Sequence, residues 1–147
     1  MIEKDVEHPT HSVYYVVAGD EMQKLMRLKF PERKTIPFRE DFSKGEGIGF
    51  DCEAEFVEKW MERWIEKRAS FWQVSQAEYR EKLSPILQLD MTKRYVLCFG
   101  EDDCCRANLA FMLGYLQYKR YSHAVKVQIL NEYTLALQRE YFIPTSD

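Results

Sequence analysis

The residues of this chain best suited to chemistry are acidic side chains in two turns, each directly after a short apolar segment. The two turns contain Gly19, Asp20, Gly100, Glu101, Asp102 and Asp103. Carboxylates in such turns can bind a cation or act as general acid and base. Aspartate is also a preferred helix N-cap, so capping is the simpler interpretation of any single one of them.

A third group of candidates lies in the loop that begins at Arg39. Arg39 would pair with an anionic group such as a phosphate, because its guanidinium donates parallel hydrogen bonds. Asp41 and Asp102 would orient ligand hydroxyls or a Mg²⁺ ion. The loop is glycine-rich, but it lacks the preceding strand and following helix of a phosphate-binding loop. The sequence identifies no cofactor, and no Cys or His spacing indicates a metal site.

The cysteines and histidines do not favour nucleophilic catalysis. Cys104 and Cys105 would begin a helix, which lowers a thiol pKa, but the acidic residues just before them oppose that effect. His8 and His11 lie in a polar N-terminal segment, and His123 begins a strand. Whether any reaction is catalysed stays open at this point.

Length and composition limit the class of protein. The chain has 147 residues, of which 46% are apolar and 31% charged, with a net charge of -3. These values favour one folded domain and argue against disorder, a membrane protein or a general nucleic-acid binder. No N-terminal signal and no apolar run of bilayer length occur, and the cysteines have no disulfide-like pattern. We therefore expect a cytoplasmic protein with a polar arm over residues 1–12 and a single domain over 13–147.

Four short segments have strand patterns. Val13–Ala18 and Tyr95–Phe99 are continuously apolar, which is typical of strands covered on both faces. Thr35–Phe38 contains Pro37, which lacks an N–H and so indicates an edge strand. Val125–Ile129 alternates apolar and polar residues, as a half-exposed edge strand does. The segment 131–147 fits either a last strand or a short helix.

Amphipathic segments separate these strands. The clearest helix carries a stripe of Phe56, Trp60 and Trp64 at helical spacing, which predicts a core-facing side. Ser75 and Glu78 form a capping box at the start of another helix. Further helices are predicted after Asp20 and after Asp103.

Alternation of strands and helices predicts an α/β fold. We expect a small doubly wound, mainly parallel four-stranded sheet of order 2-1-3-4, Rossmann-like, with helices on both faces. Ligands bind such sheets beyond the carboxyl ends of the strands, here between the first and third. The turn residues named above share that rim, and Asp20 and Asp102 should approach each other there with Arg39 reaching in. The sequence therefore predicts a site for an anionic, phosphate- or nucleotide-like small ligand. Its residues are Gly19, Asp20, Arg39, Asp41, Gly100, Glu101, Asp102 and Asp103.

Four short motifs follow one another between Val13 and Leu130. They are Tyr14–Leu25 with Gly19-Asp20, Phe38-Arg39-Glu40-Asp41-Phe42, Arg68 with Phe71-Trp72, and Leu97–Asp103 leading to Asn108-Leu109. Their order resembles the bacterial domain-of-unknown-function 1835 family. Glu21 stands where that family tends to have Ser, and Glu101 or Asp102 where it often has His. The resemblance implies a cytoplasmic bacterial α/β protein and no particular reaction.

The C-terminal third supports a second interpretation. Tyr115, Tyr118 and Tyr121 are interleaved with basic residues, and Tyr and Arg are enriched at protein interfaces. The alternative to a ligand site is thus a non-enzymatic interaction or regulatory domain, a homo-oligomer or one with a protein partner. Nucleic acid is less favoured because the net charge is acidic.

Overall fold

The structure is a computed structural model that describes residues 13–46 and 57–144. The proposed N-terminal arm with His8 and His11, and Phe56 of the apolar stripe, lie outside these residues. No helix within the described ranges is both long enough and apolar enough to cross a bilayer.

The order of elements through the first four strands is the predicted one, with one helix after the first strand, two helices between the second and third, and one helix before the fourth. The elements are β1 (Val13–Val17), α1 (Asp20–Lys29), β2 (Lys34–Pro37), α2 (Val57–Trp72), α3 (Gln76–Leu87), β3 (Arg94–Phe99), α4 (Asp103–Tyr118), β4 (Val125–Leu130) and β5 (Leu137–Ile143).

The sheet has the order β2-β1-β3-β4-β5. The first four strands are parallel, and Val16 of β1 lies between Ile36 of β2 and Leu97 of β3. Leu97 in turn pairs with Val127 of β4. The predicted parallel order 2-1-3-4 is therefore confirmed, with β2 as the edge that Pro37 indicates.

The prediction that β4 forms the other edge is wrong, because the C-terminal segment adds β5 beyond it. β5 runs antiparallel to β4 and pairs Tyr141 with Val127, with a register shift at Ile129/Leu130. The alternating pattern of β4 has another physical cause. Its apolar residues pack against the helices, while Lys126 and Gln128 face the side of the sheet where no helix covers them among the described residues.

Helices cover both faces of the sheet, as expected. On one face Met22 and Met26 of α1 pack with Val17 and Cys98. On the other face α2, α3 and α4 build the larger core around the central strands. Trp60 and Trp64 are only 7% and 4% exposed there, so the described part of the apolar stripe is core, as predicted.

The N-cap residues of the helices show which acidic turn residues bind their own helix and which do not. Ser75 and Glu78 form the predicted capping box of α3. Asp102 is the N-cap of α4, and its carboxylate accepts a hydrogen bond from the Cys105 N–H. The expected capping role of Asp20 is wrong, because the N-cap of α1 is Gly19, at a φ of 154°, and makes no side-chain cap. Since Asp20 lies inside the first turn, its carboxylate is free to pair elsewhere.

Candidate functional site

The rim beyond β1 and β2 holds an exposed ion pair. Arg39 Nε donates to Asp20 Oδ1 at 2.9 Å, and the two side chains are 37% and 63% exposed. The structure thus brings together Arg39 and Asp20, two of the predicted site residues, next to Gly19.

Asp102 does not share in this pairing. Its carboxylate turns back onto its own helix at 2.8 Å from the Cys105 nitrogen, which is the arrangement expected of a cap. Asp103 is exposed in the first turn of α4. The expected meeting of Asp20, Arg39 and Asp102 is therefore realised only for the Asp20–Arg39 pair.

Asp41 is also engaged locally. Its Oδ1 accepts hydrogen bonds from the backbone N–H of Ser43, at 3.0 Å, and from the Ser43 hydroxyl. Partial burial would raise the Asp41 pKa, but the bonds from Ser43 and the Cys104 thiol, with the charge of Lys44, lower it. Asp41 is thus an ionised residue that shapes its own turn.

The strongest charge cluster is one that the candidate site omitted. Glu40 and Arg68 form a bidentate ion pair, with Arg68 Nε 2.9 Å from Oε2 and Nη2 3.0 Å from Oε1. Their side chains are 1% and 3% exposed. The Trp72 indole donates to Oε1 at 2.9 Å, and the Tyr79 hydroxyl donates to Oε2 at 2.6 Å.

The same cluster fixes the loop after β2. Beyond Glu40, the Arg68 guanidinium donates to the backbone carbonyls of Asp41, Lys44 and Glu46 at 3.0, 2.8 and 3.2 Å. From α4, Asn108 donates to the Glu40 carbonyl at 2.6 Å and accepts from the Phe42 N–H at 2.9 Å. Three helices therefore hold one loop through polar contacts.

Gly45 is required by this arrangement. Its φ is 77°, and a Cβ there would lie 2.9 Å from both the Arg68 Nη1 and the Phe71 ring. Only glycine adopts this backbone angle at little cost while letting the loop approach the fixed guanidinium so closely.

Glu40 is unsuited to proton transfer despite its shifted pKa. Burial alone would raise the pKa of Glu40, but the hydrogen bonds from Arg68, Tyr79 and the Asp41 N–H, with the Arg68 charge, outweigh it and lower the pKa. Burial and the Glu40 charge raise the pKa of Tyr79. A carboxylate with so many donors has no free lone pair for a substrate, so the cluster is a structural tie.

One signal in the sequence could have indicated Glu40. Phe38, Glu40 and Phe42 alternate with more exposed residues and share an inward direction, and both phenylalanines are buried. A carboxylate between two inward-facing aromatic residues indicates a buried partner. The resemblance motifs also contain Glu40, Arg68, Trp72 and Asn108, although none of them was assigned to the site.

The thiols near the rim are not activated. Burial raises the pKa of Cys104 to about 12, with the Asp41 carboxylate adding to the effect. Burial likewise raises the pKa of Cys105 to about 11, although the backbone at Gly100 acts in the opposite direction. Raised pKa values of this size keep both thiols protonated at neutral pH, which is the less reactive form of cysteine.

The remaining predicted residues, Gly100 and Glu101, line a cavity of about 210 Å³ with Leu109 and Ile129. Two arginines that the predicted site omitted, Arg106 of α4 and Arg139 of β5, complete its wall. Arg139 Nη2 lies 3.8 Å from Glu101 Oε2, and both side chains are exposed. The cavity opens beyond β3 and β4, one strand away from the expected position between β1 and β3.

Within residues 13–46 and 57–144, no group of three or more His, Cys, Asp or Glu side chains is placed to hold a metal ion. No family model, curated protein or solved structure matches the chain.

Proposed function

We propose that this protein binds an anionic small molecule, with a phosphate- or nucleotide-like group, at the carboxyl ends of β3 and β4. The observation that supports the proposal is the cavity at Gly100 and Glu101, into whose wall Arg106 and Arg139 are placed from two different elements. Two guanidinium groups at one concave site suit a phosphate or carboxylate, because each group can donate two parallel hydrogen bonds to it.

The Glu101–Arg139 ion pair is compatible with ligand binding at this cavity. Glu101 and Arg139 are 56% and 68% exposed and 3.8 Å apart, and an exposed pair of this kind contributes little free energy. A ligand oxyanion would replace Glu101 as the partner of Arg139 at small cost. Glu101 would then be free to accept from ligand hydroxyl groups.

Binding rather than catalysis is the proposed activity. Near the rim the thiols of Cys104 and Cys105 are protonated at neutral pH, and the Glu40 carboxylate is buried. The free state of Cys98, Cys104 and Cys105 supports a cytoplasmic location, which belongs to the same proposal. Membership of the domain-of-unknown-function 1835 family likewise stays a proposal, supported by the motifs in their order.

Calorimetric titration with inorganic phosphate and with a nucleoside monophosphate tests the site. We expect saturable binding that Arg106→Gln and Arg139→Gln each weaken about tenfold or more, since each removes charge-assisted hydrogen bonds. Arg63→Gln and Arg80→Gln, at exposed positions on α2 and α3, are matched controls with the same charge change. No binding, or equal loss in the control variants, contradicts the proposal.

A second candidate function is self-association through β5. Leu137, Tyr141 and Phe142 are 55%, 40% and 63% exposed on this edge strand. The opposite edge, β2, is short and contains Pro37, which discourages pairing, whereas β5 has no such residue. The Glu140 carboxylate of β5 is engaged within the chain, since it contacts Lys126 and Gln128. These features favour β5 pairing with the β5 of a second copy.

The tyrosines expected at this interface are placed differently. Tyr115 and Tyr121 are 0% and 7% exposed, so they are core residues, and Tyr118 is half-buried against Trp60. The exposed tyrosines of this region are Tyr133 and Tyr141.

Sedimentation equilibrium distinguishes this candidate. We expect a concentration-dependent dimer that Phe142→Lys returns to monomer, while Leu28→Lys, on the exposed side of α1, leaves it unchanged. A monomer at all concentrations contradicts the candidate.

A further inference from the structure

The arginine-lined cavity is one end of a longer strip between α4 and β5. Arg139, Tyr141 and Ile143 pair across the sheet with Ile129, Val127 and Val125, which belong to the core beneath α4. Cross-strand partners project to the same face of a sheet. These three β5 side chains therefore lie on the face that α4 occupies, beside that helix.

The facing side of α4 is equally regular. Arg106, Leu109, Leu113 and Gln117 follow at steps of three and four residues, so they share one side of the helix. At a rise of about 1.5 Å per residue, Arg106 and Gln117 are about 16 Å apart along the axis. We call the surface bounded by these four residues and Arg139, Tyr141 and Ile143 the α4–β5 strip.

The two ends of the strip differ in chemistry. The end at Arg106 and Arg139 is the cationic cavity already described. The other end is a second cavity of about 190 Å³. Its wall is mostly apolar and includes Leu113 and Leu116 of α4, Val125 of β4 and Ile143 of β5. Leu109 lines the cationic cavity, and Leu113, one helical turn later on α4, lines the second cavity.

The geometry points to an amphiphilic anion as the ligand. We propose that its charged head binds Arg106 and Arg139 while an apolar chain follows Leu109, Tyr141 and Leu113 into the second cavity. The inference rests on the proposed function, because it gives the anion of that site a hydrophobic tail. A ligand without an apolar chain would bind the arginines but would not occupy the second cavity.

Tyr141 is central to the path of the chain. It lies on β5 between Arg139 and Ile143, hence between the two cavities, and is 40% exposed. A chain of about eight carbons reaches from the guanidinium groups past one turn of helix, which rises about 5.4 Å, and past this ring. Burying a chain there adds affinity with each methylene group.

A series of alkyl phosphates tests the tail separately from the head. The probes are methyl, butyl and octyl phosphate, titrated calorimetrically below their micelle concentrations. We expect affinity to rise along the series, by at most about fourfold per buried methylene and by about tenfold or more from butyl to octyl. Octanol, which has the chain without the charge, should bind far more weakly than octyl phosphate.

Substitutions then locate the chain. Leu113→Gln and Ile143→Gln should remove most of the gain from methyl to octyl and leave methyl phosphate binding unchanged. Leu28→Gln, at a residue 78% exposed on α1, is the matched control and should keep the full gain. Arg106→Gln and Arg139→Gln should weaken every member of the series by a similar factor.

The outcomes separate the two levels of proposal. If methyl phosphate binds and the affinity does not rise with chain length, the amphiphile inference is overturned while the anion site stands. If no alkyl phosphate binds, or the arginine variants change nothing, both fail. A gain with chain length that survives both Leu113→Gln and Ile143→Gln also overturns the inference, since the tail then lies elsewhere.

Discussion

Two arginine–carboxylate pairs involve the loop after β2: Arg68–Glu40 is bidentate and buried, whereas Arg39–Asp20 is joined by one hydrogen bond and exposed. The Nε–O distance is 2.9 Å in both Arg68–Glu40 and Arg39–Asp20. The first pair is 3% and 1% exposed, whereas the second is 37% and 63% exposed. The same distance therefore corresponds to different contributions to stability. Solvent screens the exposed pair, which contributes little, whereas the buried pair must have all its hydrogen bonds supplied by the protein.

The buried pair is stable only as part of a complete network. Removing a charge from water costs several kcal/mol, so each member needs hydrogen bonds as well as its counter-charge. Trp72, Tyr79 and the Asp41 N–H complete the set for Glu40. The exposed pair needs no such support and can exchange partners freely.

The largest effect should come from deleting one buried charge. Arg68→Ala leaves the Glu40 carboxylate unpaired and frees three loop carbonyls, and it should lower the free energy of unfolding by about 3–5 kcal/mol. Urea denaturation measures this loss. Arg63→Ala, at an exposed position on the same helix, is the control and should change stability by less than about 0.5 kcal/mol. A loss below about 1 kcal/mol for Arg68→Ala would show that the loop is not held by this residue.

A smaller effect is expected from the neutral donor to the same carboxylate. Tyr79→Phe removes only the hydroxyl that donates to Glu40, and a hydrogen bond to a charged group contributes about 1.5–3 kcal/mol. Chemical denaturation should show a loss in that range. Tyr133→Phe, at a ring 79% exposed, is the matched control. Equal stability of both variants would mean that Glu40 does not depend on Tyr79.

The sequence predicts the parallel sheet well because strand position depends on local composition. Uniformly apolar β1 and β3 must be covered on both faces, and Pro37 must lie at an edge. The sequence does not distinguish a strand from a short helix at β5, because the residues of β5 are almost all exposed and show no burial pattern. The polar residues of β4 face a side of the sheet that no helix covers among the described residues, and they do not mark a sheet edge.

The arrangement of side chains at the rim is less predictable from the sequence, for a related reason. Turns after parallel strands must reach the rim, which predicts that Arg39, Asp20, Gly100 and Glu101 lie there, and the structure places them there. Glu40 and Arg68 are 28 residues apart, and Arg106 and Arg139 are 33 apart. The residue types alone do not indicate which distant residue each of these side chains will meet. Such pairs can be identified only from the folded structure.

The stability of the protein should depend on pH through the buried Glu40 carboxylate. The folded state lowers the pKa of Glu40, so the ionised carboxylate contributes stability above its ordinary pKa in the unfolded chain. As the pH falls below that ordinary value toward the folded one, the unfolded state binds the proton first and this contribution is lost. Unfolding free energies measured between pH 7 and pH 3 should therefore decline less steeply in Glu40→Gln than in the wild type. Glu21→Gln, which removes an exposed carboxylate of α1, is the control, and an unchanged slope in Glu40→Gln would contradict the role of Glu40.

The smallest effect should come from the exposed pair. Arg39→Ala should lower the free energy of unfolding by less than about 1 kcal/mol, because Asp20 regains water when its partner is removed. Raising the salt concentration should reduce even that difference, whereas it should leave the cost of Arg68→Ala nearly unchanged, since buried charges are screened much less. Denaturation of both variants at low and high salt measures the contrast. A loss of more than about 2 kcal/mol for Arg39→Ala would mean that the exposed pair also organises the fold, which would contradict the contrast with Arg68–Glu40.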